Sequence, residues 1–274
     1  MTTRPLLFYD SGAGGLPYLT DARDRLPGQR YIYLADRESF SLGEKPAALV
    51  RSLVLRSVSR AIERFDPGLV VIACNTASVI ALQMLREHFS IPFVGVVPAV
   101  KPAALNTTQG KLAVVATRRT ISGPYLDSLV REFADGREVI RIPVSDLVEF
   151  AEYDYLSADG AARLAAVRRA LSPLREQEVG AVILGCTHFV LLEKEFRRIL
   201  NDRAALIDSR EGVTRRIVSL LSEGEAGPGD APQGQRGGAG DLYLHGGAED
   251  QERYRAFAGH FALSYCGLLE DRNP

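Results

Sequence analysis

The chain is short of cysteine, nearly without net charge, and free of long apolar runs. Its 274 residues hold 3 cysteines, too few for a disulfide framework at this length, so a reduced, cytoplasmic setting is expected. Neither CxxC nor HxxxH spacing occurs, which leaves a metal site without support. The 33 basic and 34 acidic side chains leave a formal net charge of −1. No global field therefore favours nucleic acid or an anionic membrane surface. No apolar run is long enough to span a bilayer. Met1-Thr2-Thr3-Arg4-Pro5 leads straight into a strand-like run, without the apolar stretch and cleavage site of a signal peptide. What is present is ordinary for a globular protein, with 46% hydrophobic and 24% charged residues. The length suits one large or two modest domains.

Short apolar runs alternate with longer helical patterns. Strands are predicted at 6–9, 31–35, 69–73, 93–97, 111–116, 138–142, 181–184 and 241–245. Helices are predicted at 15–26, 46–64, 77–88, 99–105 and 250–263. Such alternation implies α/β units around mostly parallel sheets, with function at the C-terminal ends of strands. Residues 223–240 are rich in Gly, Pro and Ala, hold few large apolar side chains, and are expected to form a mobile surface loop.

Two segments read as copies of one another. One is Val70-Val71-Ile72-Ala73-Cys74-Asn75-Thr76-Ala77-Ser78, the other Ala181-Val182-Ile183-Leu184-Gly185-Cys186-Thr187-His188-Phe189. Each is a β-branched run followed by a small residue, a cysteine and hydrogen-bonding side chains. The repeat implies two lobes, residues 1–97 with 209–274, and residues 98–208. A thiol at a strand end before a helix start is favoured as thiolate by the unpaired N–H groups and the helix dipole. Two thiols presented alike from two halves of a chain suit proton transfer on two faces of one substrate. A lone cysteine is more often a buried small hydrophobe, and Cys266 is taken as that.

Asp10-Ser11-Gly12-Ala13-Gly14-Gly15 follows the first strand. Its glycines allow close backbone approach, and the next helix start can hold a carboxylate. A dinucleotide fingerprint is the competing interpretation, with Asp36 as its ribose acid. The third fingerprint glycine is missing, and Asp10 at the loop's start would repel phosphate. His188 is suited to stabilise a nearby thiolate. Glu152 has the sequence context of a solvated surface residue.

These motifs, with Gly95-Val96-Val97-Pro98-Ala99 and Leu206-Ile207-Asp208-Ser209, resemble the glutamate racemases of the aspartate/glutamate racemase superfamily, in order along nearly the whole chain. The resemblance implies two pseudosymmetric three-layer α/β/α lobes with mostly parallel sheets and an active site in the cleft between them. It implies a cofactor-independent racemase supplying D-glutamate for peptidoglycan. One cysteine thiolate removes the α-proton, and the opposite thiol reprotonates the planar carbanion. By motif position Cys74 acts on D-glutamate and Cys186 on L-glutamate. Asp10 and His188 tune those transfers, and Glu152 matches a family acid on the Cys186 side. Asp10, Ser11, Asn75, Thr76, Thr187 and His188 bind the amino acid. Some relatives form dimers, so a homodimer is carried as an expectation.

One departure concerns substrate choice. The family's Pro-Tyr-Gly is Ser41-Leu42-Gly43 here. Backbone N–H groups of Leu42 and Gly43 still suit a distal carboxylate, whereas a tyrosine hydroxyl contact is gone. A racemase for aspartate or another amino acid is therefore one alternative. A non-catalytic amino-acid-binding protein is the other, although binding alone does not need paired thiols.

Overall fold

The computed structural model describes residues 4–224 and 240–269. Most of the Gly/Pro-rich segment, residues 225–239, lies outside them, and so does the expectation of a mobile loop there. The chain divides into two compact units, Met1–Val96 with Arg210–Pro274, and Val97–Ser209.

The first unit begins with β1 (Leu6–Asp10), α1 (Leu16–Arg25), β2 (Tyr31–Asp36), α2 (Ala47–Phe65), β3 (Leu69–Ile72), α3 (Asn75–His88) and β4 (Phe93–Gly95). The second contains α4 (Val100–Asn106), β5 (Lys111–Ala116), α5 (Arg118–Ile121), α6 (Pro124–Phe133), β6 (Val139–Pro143), α7 (Ser145–Tyr153), α8 (Gly160–Ala170), β7 (Val179–Leu184), α9 (Glu193–Leu200) and β8 (Ala205–Ile207). The chain then completes the first unit with α10 (Arg210–Ser222), β9 (Asp241–His245), α11 (Gln251–His260) and β10 (Ser264–Leu268).

Every strand pairing is parallel. The first sheet runs β10-β9-β2-β1-β3-β4 and the second β6-β5-β7-β8. Parallel sheets are covered on both faces, which explains why β1, β2 and β3 are buried at every residue. In α2 the buried residues Val50, Val54, Val58 and Ala61 recur at helical spacing and form one stripe against the first sheet's core. Each unit has its own apolar cluster, one around Leu7, Ile32, Val54 and Val70, the other around Leu112, Val114, Leu126 and Ile183. The α/β class with mostly parallel sheets holds.

Several local expectations change. Helix α3 starts at Asn75 rather than at Ala77, directly after Cys74. Cys186 is followed by a 3-10 turn over Thr187–Leu192 before α9, not directly by an α-helix. Helices α5 to α10 were not singled out in the sequence. In α6, Leu126, Leu129, Val130 and Phe133 stand at helical spacing and pack on the second unit's core, a signal that the sequence reading passed over. Cys266 lies exposed on β10, paired to β9 at the sheet's edge.

Candidate active site

The order of each sheet determines where its chemistry-bearing residues fall. In the first unit the chain proceeds from β1 to β2 on one side, then crosses to β3 on the other. In the second it proceeds from β5 to β6, then crosses to β7. Ligands of doubly wound sheets bind beyond the carboxyl ends of strands at such switch points. The β1/β3 switch point carries Asp10, Ser11 and Cys74, and the β5/β7 switch point carries Thr117 and Cys186.

The two cysteines occupy equivalent backbone positions. Beyond β3, Ala73 N donates to Tyr9 O at 2.7 Å, and beyond β7, Gly185 N donates to Val115 O at 2.8 Å. Each cysteine then stands at the N-cap in extended conformation, Cys74 at φ −132°, ψ 121° and Cys186 at φ −139°, ψ 134°. Neither cysteine is in a disulfide, and both are buried, with 7% and 5% of their surface exposed. The same register places Thr117 where Ser11 stands. Sequence inspection passed over Thr117 because the motif around it differs.

Around Cys74, Ser11 Oγ lies 3.9 Å from Sγ. Asp10 is fully buried and its Oδ1 accepts from Gly12 N at 2.8 Å, which closes the turn after β1. Tyr33, which sequence inspection also missed, fixes this turn from β2. Its hydroxyl donates to Gly12 O at 2.8 Å and accepts from Gly15 N at 3.1 Å. Gly15 is required here, since a Cβ would lie 2.7 Å from that of Ala73. Thr76 is buried beside Asn75. Asn75 is 2% exposed, and neither its Oδ1 nor its Nδ2 meets a hydrogen-bond partner among the described residues. Such a buried carboxamide costs free energy unless a bound polar group satisfies it. Leu42 and Gly43 open a short 3-10 turn and are both buried. The Leu42 side chain packs in the apolar cluster that contains Tyr9 and Cys74.

Around Cys186, His188 Nδ1 lies 3.9 Å from Sγ. The other ring nitrogen, Nε2, is 3.0 Å from Glu152 Oε2. Glu152 is wholly buried on α7, contrary to the solvated position its sequence context suggested. A carboxylate without water must be paired, and His188 is the pairing group. The carboxylate orients the ring so that Nδ1 faces sulfur, where it can exchange a proton with the thiol or stabilise the thiolate. Thr187 is buried next to Cys186.

Among the described residues no group of three or more His, Cys, Asp or Glu could hold a metal ion. Nor is any helix long and apolar enough to cross a membrane.

Fold and side chains together define a class: doubly wound parallel α/β proteins with a buried thiol at the switch point of each sheet. Residues 31–214 match the Asp/Glu/Hydantoin racemase family, and the chain belongs to that family. The glutamate racemase of Pectobacterium atrosepticum is 41% identical over 225 residues, which cover 81% of this chain and 78% of that protein. The glutamate racemase of Escherichia coli, solved with L-glutamate and the activator UDP-MurNAc-ala, superposes with a TM-score of 0.85 at 35% identity. That match covers 97% of this chain and 98% of the other. An aspartate racemase homologue from Pyrococcus horikoshii shares the fold at a TM-score of 0.51 and 17% identity, covering 80% of this chain and 100% of its own.

Proposed function

We propose that this protein interconverts L- and D-glutamate by two-base proton transfer, with Cys74 and Cys186 as the two acid–base groups. The observation that carries it is the equivalence of the two thiols, each buried at an N-cap at the switch point of its own sheet. Racemisation needs this symmetry, because each direction uses one group as thiolate and the other as thiol. In the D-to-L direction the Cα–H bond breaks, its proton passes to the Cys74 thiolate, and its electron pair remains on the planar carbon. The Cys186 thiol then donates its proton to the opposite face. The reverse direction exchanges the roles.

The α-proton of an amino acid is a very weak acid, so the carbanion must be stabilised where it forms. Fixed donors around the substrate supply that stabilisation. Ser11, Asn75, Thr76 and Thr187 are the candidates for the substrate's polar groups, with backbone N–H groups of Leu42 and Gly43 toward the distal carboxylate. Asp10 assists at Cys74. His188, oriented by Glu152, assists at Cys186. The mechanism needs no cofactor. The product would serve peptidoglycan synthesis in the cytoplasm, and a homodimer is the assembly to check by sedimentation.

The test is proton NMR of L- and D-glutamate, separately, with purified protein in D₂O. The α-proton signal of both enantiomers should disappear while optical rotation decays to zero. Cys74→Ser and Cys186→Ser should each abolish racemisation, and full activity in either would refute the assignment. Aspartate in the same assay decides the alternative raised by Ser41-Leu42-Gly43, with faster turnover of aspartate displacing glutamate as substrate.

A further inference from the structure

We propose that His245 is a positioning residue for the Cys74 half of the reaction, acting through Asp36 and Tyr9. This rests on Cys74 being one of the two proton-transfer groups.

A line of hydrogen bonds crosses the carboxyl edge of the first sheet from β9 through β2 to β1. His245 and Asp36 end their strands in register with one another. His245 Nδ1 is 2.8 Å from Asp36 Oδ1, and Tyr9 Oη donates to Asp36 Oδ2 at 2.7 Å. All three residues are buried. The next strand in the order is β3, which leads into Cys74. Tyr9 packs in the same apolar cluster as Cys74. Burial first, then the charge and hydrogen bond of Asp36, and then charge on Cys74 and Asp10, raise the Tyr9 hydroxyl well above its ordinary pKa. Tyr9 therefore shares the electrostatic neighbourhood of both groups.

The imidazole is oriented from the far side. Arg60 Nη1 lies 2.8 Å from His245 Nε2. A guanidinium can only donate, so Nε2 accepts, and Nδ1 carries the proton given to Asp36. Ser57 Oγ also lies 3.3 Å from Nδ1, and Glu38 Oε2 lies 3.4 Å from Nε2. Lys45 adds positive charge toward Asp36. Glu38 is itself paired with Arg56 at 2.6 Å. Burial pushes the Asp36 carboxyl up, but the hydrogen bond of His245, that of Ser39, the charge of His245 and the Tyr9 hydroxyl together outweigh it and hold Asp36 below the usual carboxylate value.

The turn after His245 is locked onto the residues after Asp36. Gly246 and Gly247 have φ of +67° and +60°, and a Cβ on either would lie 2.8 Å from Glu38 Cβ or 2.5 Å from Arg37 Cβ respectively. Arg37 Nε pairs with Asp250 Oδ2 at 2.7 Å, both side chains buried. His245 thus has one available placement. Nothing about closing a strand requires a buried imidazole–carboxylate pair, which is costly to desolvate and often no more stabilising than apolar packing. What the pair does hold is the Tyr9 hydroxyl, which is bonded to Asp36 and lies within the electrostatic reach of Cys74.

The experiment uses α-deuterated D- and L-glutamate with the full-length enzyme and its His245→Leu, His245→Asn and Tyr9→Phe variants. His245→Leu should lower kcat by about ten- to a hundredfold, the scale of a misplaced reacting group. The primary isotope effect should rise in the D-to-L direction, where Cys74 breaks the Cα–D bond, and fall toward one in the L-to-D direction. Tyr9→Phe should reproduce this asymmetry. His245→Asn, whose carboxamide N–H can still reach Asp36, should recover most of kcat and symmetric isotope effects. Equal changes in both directions, or none, would overturn the proposal, since a merely structural role has no preferred direction. Where His245→Leu fails to fold, the other two variants decide by the same criterion. Wild-type activity in Cys74→Ser would instead overturn the assignment of Cys74 itself.

Discussion

The two units solve one problem with the same backbone and different side chains. Both place a cysteine at an N-cap two residues beyond a central parallel strand. Near Cys74 the polar side chains come from the neighbouring strand's end, where Ser11 Oγ approaches the thiol and Asp10 closes the turn by accepting from Gly12 N. At the register position of Asp10 the second unit has Ala116, and its carboxylate arrives from helix α7 as Glu152, relayed by His188. The repeated element is thus the thiol's presentation, while the carboxylate near it comes from a different element in each unit. Close packing shows the same exchange. In the first unit Gly15 makes room for Ala73, and in the second Gly185 makes room for Ala116, where an added Cβ would stand 2.9 Å from another.

The comparison can be broken most forcefully at the two buried acids, Asp10 and Glu152, which the proposed mechanism assigns to opposite thiols. Asp10→Asn and Glu152→Gln should each lower kcat by about a hundredfold, the scale of a general acid–base contribution. Their isotope effects should be opposite in sense. Asp10→Asn should enlarge the primary effect from α-deuterated D-glutamate, and Glu152→Gln that from the L enantiomer. Matching asymmetry in both variants would mean that the two acids serve the same step.

A smaller effect is expected from packing. Gly185→Ala should destabilise the fold by about 1–3 kcal/mol, the usual cost of overpacking, measured by urea unfolding. Gly15→Ala should cost a similar amount and be relieved in part in the double variant Gly15→Ala/Ala73→Gly, since the Ala73 carbonyl and the Tyr33 hydroxyl still stand 3.0 Å from the new Cβ. Additive losses in that double variant would show that the two residues do not share one space.

The smallest effect is in acid stability, and it belongs to the first unit. Asp36 has its pKa lowered in the folded state, so the unfolded chain takes up the proton first as pH falls. Its contribution is fully present above an unfolded carboxyl value of about 4 and is lost as pH drops through the lower folded value. Asp36→Asn should therefore show a shallower loss of stability between about pH 5 and pH 2 than the wild-type chain. An identical slope would mean that Asp36 is not held ionised by its partners.

Much of the site was legible because its signals are local. Cys74-Asn75-Thr76, Cys186-Thr187-His188 and Asp10-Ser11 are contiguous, and each follows an apolar run that reads as a strand end. Tyr33, Thr117 and the His245–Asp36–Tyr9 line were not legible. His245 is 209 residues from Asp36, and no local pattern links two residues that only sheet order makes neighbours. The burial of Glu152 was missed for the same reason, since its partner His188 lies 36 residues away.

Residue order alone determined the α/β alternation, the duplicated cysteine segments and the resemblance to a racemase family. Hydrophobic periodicity and motif chemistry act over a few residues and can be read without coordinates. The tertiary structure decided the strand order, and so the switch points that the two thiols occupy. It also decided that Glu152 is a buried partner of His188 and that His245 pairs with Asp36 at the carboxyl edge of the first sheet. Those facts depend on which strands pair side by side, and pairing is settled by long-range packing.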